Sequence, residues 1–286
     1  MMHQSLITDY WSRICGVLVA LVLSVSPALA SENIKDGGPY VPTPSQVVGA
    51  MLDLAKVGPS DFVVDLGSGD GRIVITAATQ YKARGMGVDI DPELVTLATH
   101  SARKQEVADR VQFFQKDVFA ADLSTATVLT LYLLPAMMER LRPKLLKELK
   151  PGTRIVSHDF DFGDWKPDRS IEVSTPEKYD VTGSFTSTVH LWIVPAAVDG
   201  VWTDAKGALR LELKQSFQRV EGAIAREWQS EKFTGDVTGD QVSFTVPGRG
   251  GRQERYTGTV NGGRITGEVR GADGALLARW SAARAQ

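Results

Sequence analysis

Residues 63–72 read Val63-Val64-Asp65-Leu66-Gly67-Ser68-Gly69-Asp70-Gly71-Arg72, an apolar run that leads through alternating glycines into a helical pattern. Glycines let the backbone turn sharply and approach a ligand closely, and the amides at the next helix N-terminus attract an anionic group. A dinucleotide fingerprint, Gly-x-Gly-x-x-Gly, would carry its third glycine one residue later. The stretch therefore predicts a strand, a ligand-binding loop of another kind and a helix, with a plain strand-to-helix turn as the alternative.

Short apolar runs alternate with helical patterns on both sides of this stretch, from Asp36 to Pro195. Such alternation is typical of βαβ units around a mostly parallel sheet. The expected strands are 62–65, 85–89, 111–115, 128–132, 154–157 and 190–194, and the expected helices are 45–55, 72–81, 92–106 and 136–149. Thr43 is expected to cap the first helix, with Pro44 in its first turn and Gln46 completing a Thr-x-x-Gln capping box.

Two more strand ends carry carboxylates that suit a nucleoside. Asp89 ends the second strand, where a carboxylate accepts both ribose hydroxyls. Asp117 follows the third strand and can accept from an adenine amino group while Val118 or Phe119 packs on the ring, but it is equally a turn residue. Because ligands of open α/β sheets bind at the carboxyl ends of the strands, we expect one crevice here.

In order and spacing, these residues resemble class I S-adenosylmethionine-dependent methyltransferases. The resemblance implies a Rossmann-like seven-stranded α/β sheet, with a hairpin at 179–194 as its last antiparallel pair, and S-adenosylmethionine as cofactor. The glycine loop would meet its methionine end, Asp89 its ribose and Asp117 its adenine. The cofactor-binding residues that the resemblance implies are Tyr40, Thr43, Asp65, Gly67, Ser68, Gly69, Gly71, Asp89, Asp117 and Val118.

A narrower likeness rests on three segments, Pro-Tyr-Val-Pro-Thr-Pro at 39–44, the glycine motif at 65–75, and Arg-Ile-Val-Ser-His at 154–158 leading to Asp-Trp-Lys-Pro-Asp at 164–168. These segments are similar to protein-lysine N-methyltransferases, a group that includes the mitochondrial enzymes modifying the ATP synthase c subunit and the adenine nucleotide translocase. The likeness covers roughly 36–195 and implies a protein lysine as methyl acceptor.

The acceptor is expected near the end of the fourth strand, under a lid formed by residues 40–43. Tyr132 would position the amine through its hydroxyl or its ring face, or it is a packing residue of the sheet edge. His158 follows the fifth strand and would supply a base, or it satisfies a turn. Trp165 is interpreted as a packing residue of the following loop.

Beyond residue 197 the pattern changes to period two, as in Leu209-x-Leu211-x-Leu213, with Gly, Asn and Asp at the turns. About half of the 27 glycines lie in this part. The pattern predicts about eight short strands in an antiparallel, barrel-like all-β domain, with a packed interior or room for one small ligand. The domains are therefore expected at 31–196 and 197–286, after an N-terminal segment at 1–30.

Residues 14–30 form the most apolar run and end in the small-residue pattern of a secretory signal peptide. We expect export to the periplasm with cleavage near Ser31, or attachment to a membrane by an uncleaved segment. The single cysteine, Cys15, lies in this run.

The composition of the chain limits the classes of partner that it can bind. With 32 Lys and Arg against 34 Asp and Glu, no overall basic field exists for nucleic acid, and the histidines lack metal-ligand spacing, so neither nucleic acid nor metal is expected. The leading hypothesis is methyl transfer to a protein lysine. The alternatives are an exported nucleoside-binding or scaffold protein without turnover and a methyltransferase for small molecules or lipids.

Overall fold

Seven strands and four helices alternate between residues 45 and 193 of the computed structural model and form one sheet. The helices are α1 (Ser45–Leu54), α2 (Arg72–Tyr81), α3 (Pro92–Lys104) and α4 (Pro135–Glu148). The strands are β1 (Phe62–Leu66), β2 (Arg84–Asp89), β3 (Val111–Gln115), β4 (Val128–Leu131), β5 (Arg154–His158), β6 (Arg169–Ser174) and β7 (Thr186–Ile193). Their order is β3-β2-β1-β4-β5-β7-β6, and only β7 runs antiparallel to its neighbours. The predicted Rossmann-like seven-stranded sheet is confirmed.

The structure describes residues 40–176, 183–226 and 229–285, without the side chains of Gln229 and Arg249. The apolar segment 14–30 with Cys15, and residues 179–182 of the predicted hairpin, lie outside this part. Among the described helices, none is both long enough and apolar enough to cross a bilayer.

Helices cover both faces of the sheet because successive residues of β1 point to opposite sides. Val63 packs with Met51 of α1 and Ile73 of α2 in one buried cluster. Val64 packs in a second cluster with Met138 of α4. Each fully buried side chain of this size contributes about 1.5–3 kcal/mol by leaving water, and this two-sided burial explains why β1 is apolar throughout.

The helix α1 begins at Ser45 as predicted, but its cap differs from the prediction. Pro44 is the residue that precedes the helix, and no side chain caps its first amides. The Thr43 hydroxyl instead lies 3.3 Å from Nδ1 of His158, and the Gln46 amide donates to the Ser174 carbonyl at 3.5 Å. The predicted capping box is therefore wrong, because distant residues engage both side chains.

The last antiparallel pair of the sheet also begins earlier than expected. Its first strand is β6, which starts at Arg169 rather than Tyr179. This edge strand alternates exposed and half-buried residues. It therefore lacks the apolar run by which the other strands are visible in the sequence.

Eight antiparallel strands form a closed barrel after the sheet. They are β8 (Gly200–Thr203), β9 (Leu209–Ser216), β10 (Arg219–Arg226), β11 (Gln229–Thr238), β12 (Gln241–Pro247), β13 (Gln253–Asn261), β14 (Arg264–Gly271) and β15 (Leu276–Arg284). Strands adjacent in sequence pair with each other, and β15 closes onto β8. The predicted barrel of about eight strands is confirmed.

Aromatic rings fill much of the barrel interior. Phe244 stacks on Phe233 with ring centroids 4.0 Å apart and on Tyr256 at 5.0 Å, and Trp280 meets Tyr256 edge-on at 5.8 Å. These rings alternate with outward-facing polar residues along their strands, as expected when one face of a sheet is buried.

The sheet and the barrel belong to one compact unit. Phe217, in the turn between β9 and β10, stacks on buried Trp165 with ring centroids 5.8 Å apart. The Arg142 guanidinium lies over the Phe217 ring. The backbone of Gly239 approaches Gly152, which precedes β5. The barrel therefore contacts the sheet near the amino end of β5, and Trp165 is a packing residue as predicted.

Candidate active site

The candidate site lies at the carboxyl ends of β1, β2, β4 and β5. The chain leaves β1 on the side of β2 and later returns to the other side with β4, which makes β1 a switch point of the sheet. Ligands of open α/β sheets bind in the crevice at such a point. The glycine motif, Asp89, Tyr132 and His158 all follow or end these strands.

The glycine loop connects β1 to α2 and is held tightly. The amides of Gly67 and Ser68 both donate to the Val88 carbonyl, at 2.9 and 3.0 Å. Gly71 has φ +80°, and a Cβ there would lie 2.6 Å from the Phe113 ring. Because neither the backbone angle nor the available space admits a side chain, the loop requires glycine at this position.

Asp89 is nearly buried at the edge of the crevice. One carboxylate oxygen accepts from the Gly69 amide at 2.8 Å and the other accepts from the Asp91 amide at 3.0 Å. Each carboxylate oxygen can accept a second hydrogen bond. The carboxylate therefore holds the glycine loop and retains acceptor capacity for a hydroxyl.

Asp65 lies deeper than the other carboxylates of the site. It is 2% exposed and accepts a 2.7 Å hydrogen bond from the Thr130 hydroxyl. Burial raises the pKa of Asp65 to about 7, although the Thr130 bond lowers it, and the nearby charges of Asp89 and Asp70 raise it further. The folded protein therefore favours the neutral acid of Asp65, and its predicted contact with the cofactor stays a prediction.

Of the two cofactor-binding residues expected at the adenine, Asp117 is exposed and Val118 is buried. Asp117 is exposed, and its carboxylate accepts from the Phe119 amide at 2.9 Å, which begins a short 3-10 turn. Val118 is buried in the core, while Phe119 is half-buried with the Arg140 guanidinium 4.3 Å from its ring. Asp117 therefore has the turn role that the sequence left open as the alternative to an adenine contact.

Residues 40–44 lie against the glycine loop. The Tyr40 ring covers Gly69, where a Cβ would come within 2.6 Å of it. The Arg72 guanidinium donates to the Thr43 carbonyl at 2.9 Å and forms an ion pair with Asp70 at 2.7 Å. These contacts hold residues 40–44 against the glycine loop, and the lid over the acceptor stays a prediction.

His158 ends β5 and is fully buried. Its Nδ1 lies 3.3 Å from the Thr43 hydroxyl, and its Nε2 lies 3.0 Å from the Ser187 hydroxyl of β7. Asp159 lies 3.4 Å from Nε2 as well. Both ring nitrogens thus have neighbours that fix the imidazole between the lid and the sheet.

Tyr132 follows β4 and lies directly on this imidazole, with ring centroids 3.9 Å apart. Burial raises the pKa of Tyr132, and the charge of Asp159 raises it further. The phenol therefore remains protonated at neutral pH. The structure brings Tyr132, His158 and Thr43 into one cluster beside the glycine loop.

The fit of this site to a nucleoside cofactor depends on the hydrogen-bonding groups at the glycine loop. The Ser68 hydroxyl, in the middle of the loop, is buried and has no hydrogen-bond partner in the part of the chain that the structure describes. A buried hydroxyl is normally satisfied. This hydroxyl lies against Gly87 of β2, where a Cβ would come within 2.6 Å of it. The groups that fit S-adenosylmethionine are therefore the remaining acceptor capacity of Asp89 and the backbone of the glycine loop.

Sequence reasoning missed three residues that hold this site. Thr130 and Ser187 lie in strands, where nothing in their sequence context points to Asp65 or His158. Arg72 follows the glycine motif directly, and its position next to Asp70 was the available signal for an ion pair in the loop.

Among the described residues, no group of three or more His, Cys, Asp or Glu side chains is arranged to hold a metal ion.

Comparisons with known proteins agree with this geometry. The family model described as "ANTKMT methyltransferase domain" matches residues 65–169. A protein-lysine N-methyltransferase of Saccharolobus islandicus is 44% identical over 157 residues, which cover 54% of this chain and 93% of that protein. A lysine N-methyltransferase of Xenopus laevis, named for the c subunit of ATP synthase, is 33% identical over 62% of this chain and 77% of its own.

One solved structure is similar over the same region. It is a crystal structure described as an RNA methyltransferase from Salinibacter ruber in complex with S-adenosyl-L-homocysteine. It is 50% identical, with a TM-score of 0.51, and the match covers 55% of this chain and 96% of that one. The bound product of the cofactor in that structure agrees with the groups described above.

Proposed function

This chain belongs to the S-adenosylmethionine-dependent protein-lysine N-methyltransferase family, and from that premise we propose that it methylates the ε-amine of a lysine in a protein substrate. The observation that carries the proposal is the hydrogen bond of Asp89 to Gly69. It joins the carboxylate at the end of β2 to the glycine loop at the switch point, next to the Tyr132 cluster.

The cofactor would be held by groups that converge on the loop. Asp89 would accept from the ribose hydroxyls, the loop backbone would contact the methionine end, and Asp117 would face the adenine. Tyr40 covers the loop from the lid. When bound, S-adenosylmethionine supplies an electrophilic methyl group on a sulfonium, so the protein has mainly to align a nucleophile and exclude water.

Tyr132 is proposed to position the acceptor amine. Its phenol is half-buried, remains protonated, and lies on the imidazole of His158, whose Nδ1 faces the Thr43 hydroxyl. A free lysine has a pKa of about 10.4, and desolvation under the lid favours its neutral form. No dedicated base is needed if the amine loses its proton to water on entering.

His158 is proposed as a positioning residue. It is fully buried, and its ring nitrogens face the Thr43 and Ser187 hydroxyls. It therefore orients the Tyr132 ring and the lid, and it does not act directly on the substrate.

The cellular location is also a proposal. Residues 14–30 carry the pattern of an export signal, and we propose that the enzyme acts at or beyond the cytoplasmic membrane. N-terminal sequencing of the protein from cells tests this, since a chain that begins near Ser31 supports cleavage and an intact Met1 supports a membrane anchor.

The activity test uses the full chain with radiolabelled S-adenosylmethionine and a cell lysate. Label in a fraction sensitive to protease, with methyl-lysine found by mass spectrometry, supports the proposal. Label sensitive to ribonuclease would instead make the acceptor RNA, as the description of the Salinibacter ruber structure suggests, and label in an organic extract would make it a lipid or small molecule. Cofactor binding without transfer would favour the non-catalytic alternative.

The Asp89→Asn variant tests the cofactor site. Hydrogen bonds to a charged group contribute about 1.5–3 kcal/mol, so binding of S-adenosylhomocysteine should weaken about ten- to a hundred-fold. The matched control is Asp122→Asn, which changes an exposed carboxylate outside the crevice. Calorimetry should give wild-type affinity for the control, and equal affinity in both variants would contradict the assignment.

A further inference from the structure

The barrel wall has a gap beside the short pairing of β15 with β8 that closes the barrel. β15 runs from Leu276 to Arg284, but β8 pairs with it only through Trp202 and Thr203, opposite Arg284 and Ala283. After Thr203 the chain turns away into β9. The earlier residues of β15 therefore have no strand partner on this side within the described part of the chain.

A cleft of about 560 Å³ occupies this gap. It lies between the turn 204–208 and the upper part of β15. The barrel contacts the sheet through the turns at Phe217 and Gly239, at the other end of its strands. The cleft therefore faces away from the sheet, and its size is within the usual range for a small-molecule site.

The floor and walls of the cleft are largely apolar. Trp280 and Tyr256, both nearly buried, form the floor together with Val269, and Leu209 and Ala278 form the sides. The Trp280 indole nitrogen already donates to the Thr257 carbonyl at 3.1 Å. The ring thus offers apolar surface to a ligand and leaves no need for a polar partner.

Polar groups in the cleft are mainly donors and cations. The Tyr256 hydroxyl accepts from the Arg226 guanidinium at 3.3 Å, which leaves its own proton free to donate. Burial raises the pKa of Tyr256, so that proton is retained at neutral pH. The unpaired edge of β15 adds backbone N–H donors and C=O acceptors along one wall.

The charges of the lining are predominantly positive. Lys206 and Arg279 line the cleft, and neither forms an ion pair with any residue that the structure describes. Arg226 is paired with Glu254 at 2.7 Å. The lining contains one carboxylate, Asp204, and that group accepts from the Leu209 amide within its turn at 3.0 Å.

We infer that this cleft is a second binding site, separate from the methyltransferase crevice, for a small amphipathic carboxylate. The apolar body would lie on Trp280 and Val269, and the carboxylate would accept from the Tyr256 hydroxyl beside Arg226, with the exposed Lys206 and Arg279 at the rim attracting its charge. A neutral ligand would leave these cations unused, and a fully polar anion would leave the aromatic floor uncovered.

The test is calorimetric titration of the full chain with octanoate and, separately, with octanol, which has the same apolar chain without the charge. Octanoate should bind with one-to-one stoichiometry, and saturating S-adenosylhomocysteine should not displace it. The double variant Lys206→Glu/Arg279→Glu should weaken octanoate binding at least ten-fold and change octanol binding less than two-fold.

The matched control is Lys214→Glu/Arg255→Glu, which makes the same charge change at exposed positions outside the cleft. It should bind octanoate as the wild type does, and melting temperatures should show that both double variants fold. The inference is overturned if the wild type does not bind octanoate, if both double variants lose affinity equally, or if S-adenosylhomocysteine displaces the ligand. These outcomes are independent of methyl transfer.

Discussion

At the scale of single residues, the unusual group is Asp65. A carboxyl that is 2% exposed has lost nearly all its hydration, and one hydrogen bond from Thr130 only partly replaces it. The folded protein therefore favours the protonated acid, and the pKa rises to about 7. In the unfolded chain the same group ionises near its ordinary pKa of about 3.9.

This difference makes stability depend on pH. Between the two pKa values the unfolded state has lost the proton that the folded state keeps, so stability falls as pH rises from about 4 to about 7. Three pKa units correspond to at most about 4 kcal/mol. Asp65→Asn should remove this dependence, since asparagine keeps an oxygen that accepts from Thr130.

Urea unfolding of the cofactor-free protein at pH 5 and at pH 8 measures the effect. The variant should gain stability relative to the wild type at the higher pH. A stability difference that is the same at both pH values would show that Asp65 is ionised in the folded protein.

Other side chains of the site are held in place by residues that are distant in the sequence. His158 meets Thr43 and Ser187, and Tyr132 lies on its ring. A sequence pattern does not reveal such partners. For this reason Tyr132 and His158 were candidates from their positions at strand ends, while Ser187 was not a candidate at all.

At the scale of elements, the unit of β1, glycine loop and α2 is defined by backbone geometry. Gly71 has φ +80° and lies against Phe113 and Ala98, whereas Gly274, in the turn before β15, has φ +81° with nothing within 4 Å. The two glycines share the same backbone strain and differ only in available space.

Alanine at the two positions separates these effects. Gly274→Ala should cost about 1–2 kcal/mol, because the left-handed conformation is unfavourable for a residue with a Cβ. Gly71→Ala should cost a further 1–3 kcal/mol or so from overpacking and should weaken S-adenosylhomocysteine binding. Denaturant unfolding and calorimetry measure both, and equal losses of stability would mean that Phe113 moves aside freely.

The elements that the sequence did not locate correctly share one property, which is weak local patterning. β6 is an edge strand with alternating exposed residues, and the cap of α1 depends on what Thr43 and Gln46 contact in three dimensions. In contrast, α2 has the predicted boundaries, because its buried apolar residues recur at helical spacing and the glycine motif marks its start.

At the scale of the whole molecule, the barrel and the sheet are connected by aromatic contact. Phe217 packs between Trp165 and Arg142 at the interface of the two domains. Its half-buried ring should contribute through apolar burial and through stacking worth about 0.5–1.5 kcal/mol.

Phe217→Ala should therefore lower the free energy of unfolding by about 2–3 kcal/mol. The control is Phe114→Ala, which removes an exposed ring from β3 and should change it by less than about 0.5 kcal/mol. Calorimetry of the full chain measures both, and it also reports whether the sheet and the barrel begin to unfold separately. An equal effect of the two substitutions would mean that the interface contributes little.

The order of residues along the chain was enough to predict the two fold types, the glycine loop and the strand ends that form the crevice, and the family resemblance of these residues implied the cofactor. These features depend on local periodicity, on glycines with special backbone angles and on residue order, all of which are local properties of the chain. Only the tertiary structure decided the burial of Asp65, the contacts of His158, the placement of the barrel away from the crevice and the cleft beside β15. Those depend on which distant segments meet, and the free energy of such contacts is not encoded in any single stretch of sequence.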